Sequence, residues 1–339
     1  MNTQEELLEK PADLEHVLSK KFEKTIRHAD YEIRQLHGGT LGNVRLVSGT
    51  AEDADGNRLP YQIVWKIQKK WERHGDPHSW RREYDLYLSD LGDLFTESFR
   101  WPICYHAELH DDRMELWMEY IDGVSGLKLT PDMYVRAAEE LGRFQGKLYA
   151  TQSEDMPKLA NVSQVEFLKN FYLHYRSWPE VYDYIRSEDC ELPRHLCTML
   201  IDLDTHSDDI FKRIAKLPVV LCHRDFWVAN LICSDDQIRI IDWDTAGWGY
   251  MGEDLASLIA DEADVPHMVE YYQRCVPAYY KGFAENADVS HITDPCVYEL
   301  ILMMFGYRLI EWYKFAESPE QKTLHLDTLQ KIYEMKSVG

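Results

Sequence analysis

The chain has 339 residues, 45% hydrophobic and 28% charged, and a net charge of −22 from 59 acidic against 37 basic side chains. That length exceeds what one compact core organises, so two lobes are expected, and the composition is that of a globular rather than a disordered protein. The acidic balance argues against a sequence-independent nucleic-acid binder, which needs cations on the phosphates.

Seven cysteines occur, none in a CxxC pair. They point to reduced thiols in a cytoplasmic protein rather than to a disulfide framework or a zinc site. The first residues lack the apolar stretch of a secretory signal, and no apolar run of 18 residues is present, so no membrane span is expected.

In chain order, residues 12–25 carry helical periodicity through Leu14, Val17, Leu18 and Phe22. Residues 31–36 read as a strand entering the turn His37-Gly38-Gly39-Thr40-Leu41-Gly42, and 43–50 as the strand leaving it. A turn at 54–57 leads to a β-branched and aromatic strand at 61–67. A helix is expected over 80–91 and two more strands over 99–106 and 115–121. Asp122-Gly123-Val124-Ser125-Gly126 is the best linker, dividing the chain into 1–122 and 123–339. Beyond it Thr130-Pro131 starts a helix, others follow near 164–178 and 193–215, two short apolar strands stand at 219–222 and 237–241, and helices resume from 252.

The chemistry-bearing run is His223-Arg224-Asp225-Phe226-Trp227-Val228-Ala229-Asn230, at the end of an apolar strand. Ile240-Ile241-Asp242-Trp243-Asp244 follows at the end of the next one. If those two strands are neighbours, Asp225, Asn230 and Asp242 share a rim. Asp225 then suits a base that aligns a hydroxyl, and Asn230 and Asp242 suit ligands of a magnesium ion on phosphates. In the first lobe Lys66 sits inside the apolar run Ile63-Val64-Trp65-Lys66-Ile67, costly to bury unless paired, and Glu83 on the next helix is the candidate partner. Gly38, Gly39 and Gly42 offer backbone N–H groups to phosphates. Glu119 and Ile121, in the run Met118-Glu119-Tyr120-Ile121, offer backbone groups to an adenine ring. Taken singly, Asp225, Asn230 and Asp242 read as turn residues and Lys66 as a lysine facing water. The match of Gly247–Gly252 to GxGxxG is set aside, because no βαβ alternation surrounds it.

Together these residues resemble the aminoglycoside phosphotransferase and choline kinase superfamily, a small-molecule branch of the protein-kinase-like fold, over about residues 30–315. The resemblance implies an α+β, two-lobed fold: a small antiparallel five-stranded N-terminal lobe with one helix, and a larger, mainly helical C-terminal lobe, with ATP and Mg2+ between them. It implies Asp225 as catalytic base, Asn230 and Asp242 as metal ligands, and Lys66 as the phosphate-binding lysine paired with Glu83. The short interval from Asp242 to Asp254 leaves no room for the activation segment on which protein kinases dock peptides.

Asp244, Tyr250, Asp254 and Asp261 are spaced as in choline kinases, whose ammonium substrate sits among carboxylates and aromatic rings. The expected acceptor is therefore a small cationic alcohol, choline-like or aminoglycoside-like, held by Asp244, Asp261, Tyr307 and Trp312; Phe305 and Tyr313 are further ring candidates. The helical spacing of Phe305, Leu309 and Trp312 equally suits core packing, and Asp254 suits a helix cap. Trp227 and Gln145 depart from the family pattern. A catalytically inactive kinase fold used for binding or structure is the alternative.

Overall fold

The computed structural model describes residues 13–36, 42–72, 77–151, 166–262, 264–292 and 294–338. Two compact units divide the chain: Met1–Leu88 with Pro102–Ile121, and Ser89–Trp101 with Asp122–Gly339.

The first unit contains α1 (Leu14–Phe22), β1 (Ile26–Ala29), β2 (Glu32–Gln35), β3 (Gly42–Asp53), β4 (Arg58–Lys69) and α2 (Arg82–Tyr87). After β5 (Phe99–Arg100), which lies in the second unit, it takes in β6 (Cys104–Leu109) and β7 (Arg113–Glu119). The strands pair antiparallel in the order β1–β3–β4–β7–β6, with β2 also on β3. β1 and β2 lie end to end along β3, interrupted near Asp30, whose carboxylate accepts the Thr50 N–H at 2.7 Å. The sheet is thus five strands wide and antiparallel, as expected. The strand expected over 99–106 is broken, however. Only its second half joins this sheet, and Phe99–Arg100 pairs parallel with another strand in the second unit.

Both faces of this sheet are covered, because β4 turns Ile63, Trp65 and Ile67 to one side while β7 turns Met114, Leu116 and Met118 to the other. Ile63, Trp65 and Ile67 pack with Trp117 and with Leu14, Val17 and Leu18 of α1. Met114, Leu116 and Met118 of β7 turn the other way, against Trp80 and Tyr84. Lys66 stands opposite Leu116 and so belongs to this second face.

The second unit contains β5, α3 (Pro131–Thr151), α4 (Glu166–Arg176), α5 (Pro179–Tyr182), α6 (Arg194–Thr205) and α7 (Ser207–Ile214). The strands β8 (Val219–Cys222), β9 (Leu231–Cys233), β10 (Ile238–Ile240) and β11 (Gly247–Tyr250) follow. The unit ends with α8 (Glu253–Ala260), α9 (Met268–Ala284), α10 (Val297–Lys314) and α11 (Pro319–Met335). α3 and α9 touch backbone to backbone: a Cβ at Gly142 would collide with the Tyr279 carbonyl, and one at Gly282 with the Glu139 carbonyl. Segment 89–101 is held by its aromatic residues. Phe95 stacks on Phe144 at 4.2 Å, and Trp101 meets Trp243 edge-on at 5.6 Å.

The strands leading to Asp225 and Asp242 are not neighbours. β8 pairs with β11, whereas β10 pairs with β9 and β5. The GxGxxG run forms β11, antiparallel to β8, and a turn in which Gly252 has φ 97°. That positive φ favours a residue without Cβ and starts α8. Among the described residues, no helix is long and apolar enough to cross a membrane.

Candidate active site

Lys66 is 6% exposed and Glu83 1%. A lysine so enclosed needs an anion beside it. The Lys66 ammonium forms an ion pair with the Glu83 carboxylate, which α2 carries over the second face of the sheet. The reading of Lys66 as a lysine facing water is thereby excluded.

At the end of β7, the Glu119 N–H donates to the Ile103 carbonyl at 2.8 Å, and its carboxylate accepts the Ile103 N–H at 3.0 Å. The Glu119 N–H, one of the backbone groups expected to meet an adenine ring, is thus engaged by Ile103. Of the glycines expected to meet phosphates, Gly42 opens β3, while Gly38 and Gly39 lie outside the described residues.

In the second unit the loop after β8 is organised around Asp254. Its carboxylate accepts the His223 and Arg224 N–H groups, each at 2.8 Å, and the Gln145 side-chain amide at 3.1 Å. Burial raises the Asp254 carboxyl above its ordinary range, against the bonds from the loop N–H groups and the nearby Arg224 charge. The expectation that Asp254 caps α8 is corrected: Gly252 holds the cap position, and Asp254 instead ties the loop to α3 through Gln145. Gln145 donates as well to the Leu221 carbonyl at 3.0 Å and accepts the Tyr279 hydroxyl at 2.5 Å, so its departure from the family pattern serves a fully bonded junction.

This anchoring bends the chain. Arg224 adopts φ 65° and Asp242 φ 66°, left-handed conformations that non-glycine residues rarely occupy. The Arg224 guanidinium donates to the Trp248 carbonyl at 2.5 Å and covers the Phe167 ring at 4.3 Å.

Asp225 and Asn230 meet directly. The Asn230 amide nitrogen donates to the Asp225 carboxylate and to its carbonyl, both at 2.9 Å. Two bonds bring the Asp242 segment to this loop: His223 Nε2 donates to the Ile241 carbonyl at 2.9 Å, and the Ile241 N–H donates to the Asn230 carbonyl at 3.0 Å. Loop hydrogen bonds, not strand pairing, therefore join these two segments. The Asp225 N–H points to His223 Nδ1 at 3.3 Å, so this ring nitrogen accepts while Nε2 donates. Trp243 packs its ring on His223 at 4.6 Å and donates to the Ile240 carbonyl at 3.0 Å.

Among the expected acceptor residues, Asp244 and Asp261 are each 7% exposed. Burial pushes the Asp261 carboxyl up to about 6, with the Asp225 charge adding to the rise and Arg308 opposing it. Tyr307 is 2% exposed, its ring against Tyr172 and Tyr182, which places it in the core of the helical unit. Phe305 and Tyr313 are buried too. Trp312 is half-buried and already carries a cation, with the Arg308 guanidinium 4.2 Å from its ring centroid. Arg308 was not anticipated from the sequence; the aromatic residues around it drew the reading to themselves.

The phosphotransferase enzyme family matches residues 102–281, just over half of the chain. No curated protein sequence matches. Among solved structures, an aminoglycoside phosphotransferase from Alicyclobacillus acidocaldarius is similar with TM-score 0.57 at 16% identity, over 99% of this chain and 97% of that one. A choline kinase from Cryptosporidium parvum Iowa II is similar with TM-score 0.55 at 17% identity, over 91% of this chain and 90% of that one. An amicoumacin kinase in complex with AMP-PNP, Ca2+ and Ami is similar with TM-score 0.54 at 13% identity, over 95% and 94%. At such identities the likeness speaks for the fold, and the family match speaks for the chemistry. The chain belongs to the phosphotransferase enzyme family and has the two-lobed, protein-kinase-like α+β fold.

Proposed function

We propose that this phosphotransferase moves the γ-phosphoryl group of ATP to a hydroxyl of a small molecule. The observation that carries the reading is the Asp225–Asn230 pair, at 2.9 Å within a loop whose N–H groups Asp254 holds. One Asp225 oxygen accepts from Asn230, and the other orients the acceptor hydroxyl. Asp225 takes the hydroxyl proton as the acceptor oxygen bonds to the γ-phosphorus and the bond to ADP breaks. The Asn230 amide nitrogen is engaged by Asp225, which leaves its Oδ1 for a cation. That oxygen and the Asp242 carboxylate form the hard donor set that Mg2+ takes, so these residues would hold the ion. When bound, it neutralises charge on the phosphate oxygens.

Lys66, oriented by Glu83, presents its ammonium to phosphates. The Glu119 carbonyl and the Ile121 N–H are assigned to adenine. AMP-PNP in the similar amicoumacin kinase supports ATP as donor. The choline kinase and aminoglycoside phosphotransferase likenesses support a small hydroxyl compound as acceptor, with Asp244 and Asp261 in its pocket. The seven free thiols suit a reducing, cytoplasmic compartment.

The test is ATP turnover across a panel of alcohols, with Asp225→Asn as control. The variant is expected to lose ~10²-fold or more in turnover while its ATP affinity stays within a few-fold. Unchanged turnover in the variant would remove Asp225 from its role. No stimulation by any alcohol would favour a kinase fold used only for binding.

A further inference from the structure

Of the residues expected to enclose an ammonium, Asp261 and the rings of Phe305 and Trp312 surround one place. Arg308, on α10, already occupies it. Its guanidinium carbon lies 4.2 Å from the Trp312 centroid and 5.6 Å from that of Phe305. Its Nη1 reaches Asp261 Oδ2 at 3.4 Å, a long bond. Its Nε is buried with no hydrogen-bond partner among the described residues. A guanidinium has five N–H donors in a planar fork, so this one is far from satisfied. Its side chain is still 21% exposed, which leaves an approach from solvent.

The place is set by Asp261, whose carboxyl the Asp225 charge helps to raise. An ammonium entering here would meet like charge on ring faces and a carboxylate already taken. An incoming carboxylate would instead find a rigid fork with unused donors, backed by an aromatic ring that holds the guanidinium flat. Acidic neighbours oppose such an anion: Asp225, Asp261, Glu262 and Glu311. Burial raises both the Asp261 and the Glu311 carboxyls above their ordinary range.

We propose that Arg308 binds a carboxylate on the acceptor, so that the hydroxyl presented to Asp225 belongs to a hydroxy acid rather than to an amino alcohol. This rests on the phosphotransferase reading above and names its substrate class. Arg308 is a specificity residue here. The phosphoryl step is unchanged: the acceptor hydroxyl loses its proton to Asp225, gains the γ-phosphoryl group, and ADP leaves.

The experiment uses three compounds that share a 1,2-diol and differ at the third carbon only: glycerate, glycerol and 3-amino-1,2-propanediol. ATP turnover and saturation-transfer NMR binding are measured on the full chain, in wild type, Arg308→Gln and Arg308→Lys. Expected is a preference of wild type for glycerate over the amine. Arg308→Gln should raise KM for glycerate about 10-fold or more, with kcat changed much less and glycerol unaffected, and Arg308→Lys should restore part of the loss. A wild-type preference for the amine, or glycerate binding that Arg308→Gln leaves intact, would overturn the proposal. If Arg308→Gln does not fold, the wild-type preference and the lysine variant decide. Should no diol stimulate turnover, the phosphotransferase reading is what has failed, and glycerate binding in wild type against the variants still judges Arg308.

Discussion

Glu253 and Asp254 carry adjacent carboxyl groups into the interior, 3% and 1% exposed, where backbone N–H groups receive them. Burial pushes Glu253 up from 4.5 to about 7. Its folded form therefore keeps a proton that the unfolded chain releases near pH 4.5. Stability from this group is complete below that pH and is lost as the pH rises toward 7, by roughly 3 kcal/mol over the full shift. Glu253→Gln keeps an acceptor for the Tyr250 N–H and removes the titration. Urea melts at pH 5, 6 and 7 should show a flatter pH dependence in this variant than in wild type; parallel curves would show that Glu253 titrates normally in the fold.

At this scale the sequence was most legible where residue type and spacing coincide. Asp225 and Asn230 stand five apart in one loop, and that spacing alone lets them bond. Lys66 and Glu83 were legible because a charge inside an apolar strand demands a partner. Asp254 was harder to read: its partners on α3 and in the loop are distant in sequence, while its place at a helix start suggested a cap. Arg308 gave no signal, because an arginine on a helix is ordinary until its ring neighbours and Asp261 are located in space.

The contact between α3 and α9 depends on residues without side chains. Gly142 faces the Tyr279 carbonyl and Gly146 the Phe283 carbonyl, while Gly282 of the other helix faces that of Glu139. Alanine is the better helix former by ~1 kcal/mol, so propensity alone would make Gly142→Ala stabilising. The backbone collision outweighs it. The variant is expected to lose about 1–3 kcal/mol, read as a lower urea midpoint at unchanged slope. An unchanged or higher midpoint would mean that the helices can separate at no cost.

Strand pairing was the least legible property of the elements. The lengths of β8 and β10 were readable from their apolar runs, but neither run says which neighbour it takes. The true partners, β11 for one and β5 with β9 for the other, come from turns and from a segment more than a hundred residues upstream. The antiparallel hairpins β3–β4 and β6–β7 of the first unit were legible because short turns join their strands and force the pairing, whereas nothing local sets β7 beside β4.

Across the whole molecule, acidic side chains outnumber basic ones so far that the net charge reaches −22. Repulsion among excess carboxylates works against the compact state and is screened within about 8 Å at physiological salt. The melting temperature should therefore rise by a few degrees between low salt and about 0.2 M KCl, measured by calorimetry at pH 8. A fall over this range would mean that specific ion pairs, such as Arg213 with Asp294 and Glu299, outweigh the general repulsion.

The segment Ser89–Trp101 leaves the first unit, contributes to the second, and returns. No single cut can therefore release either half intact. A fragment beginning at the linker would lack β5 along one edge of β10, and would leave the faces of Phe144 and Trp243 that meet Phe95 and Trp101 bare to water. Genes that trade one lobe for another must carry this short excursion with the helical part, so the natural seam for recombination has three joints rather than one.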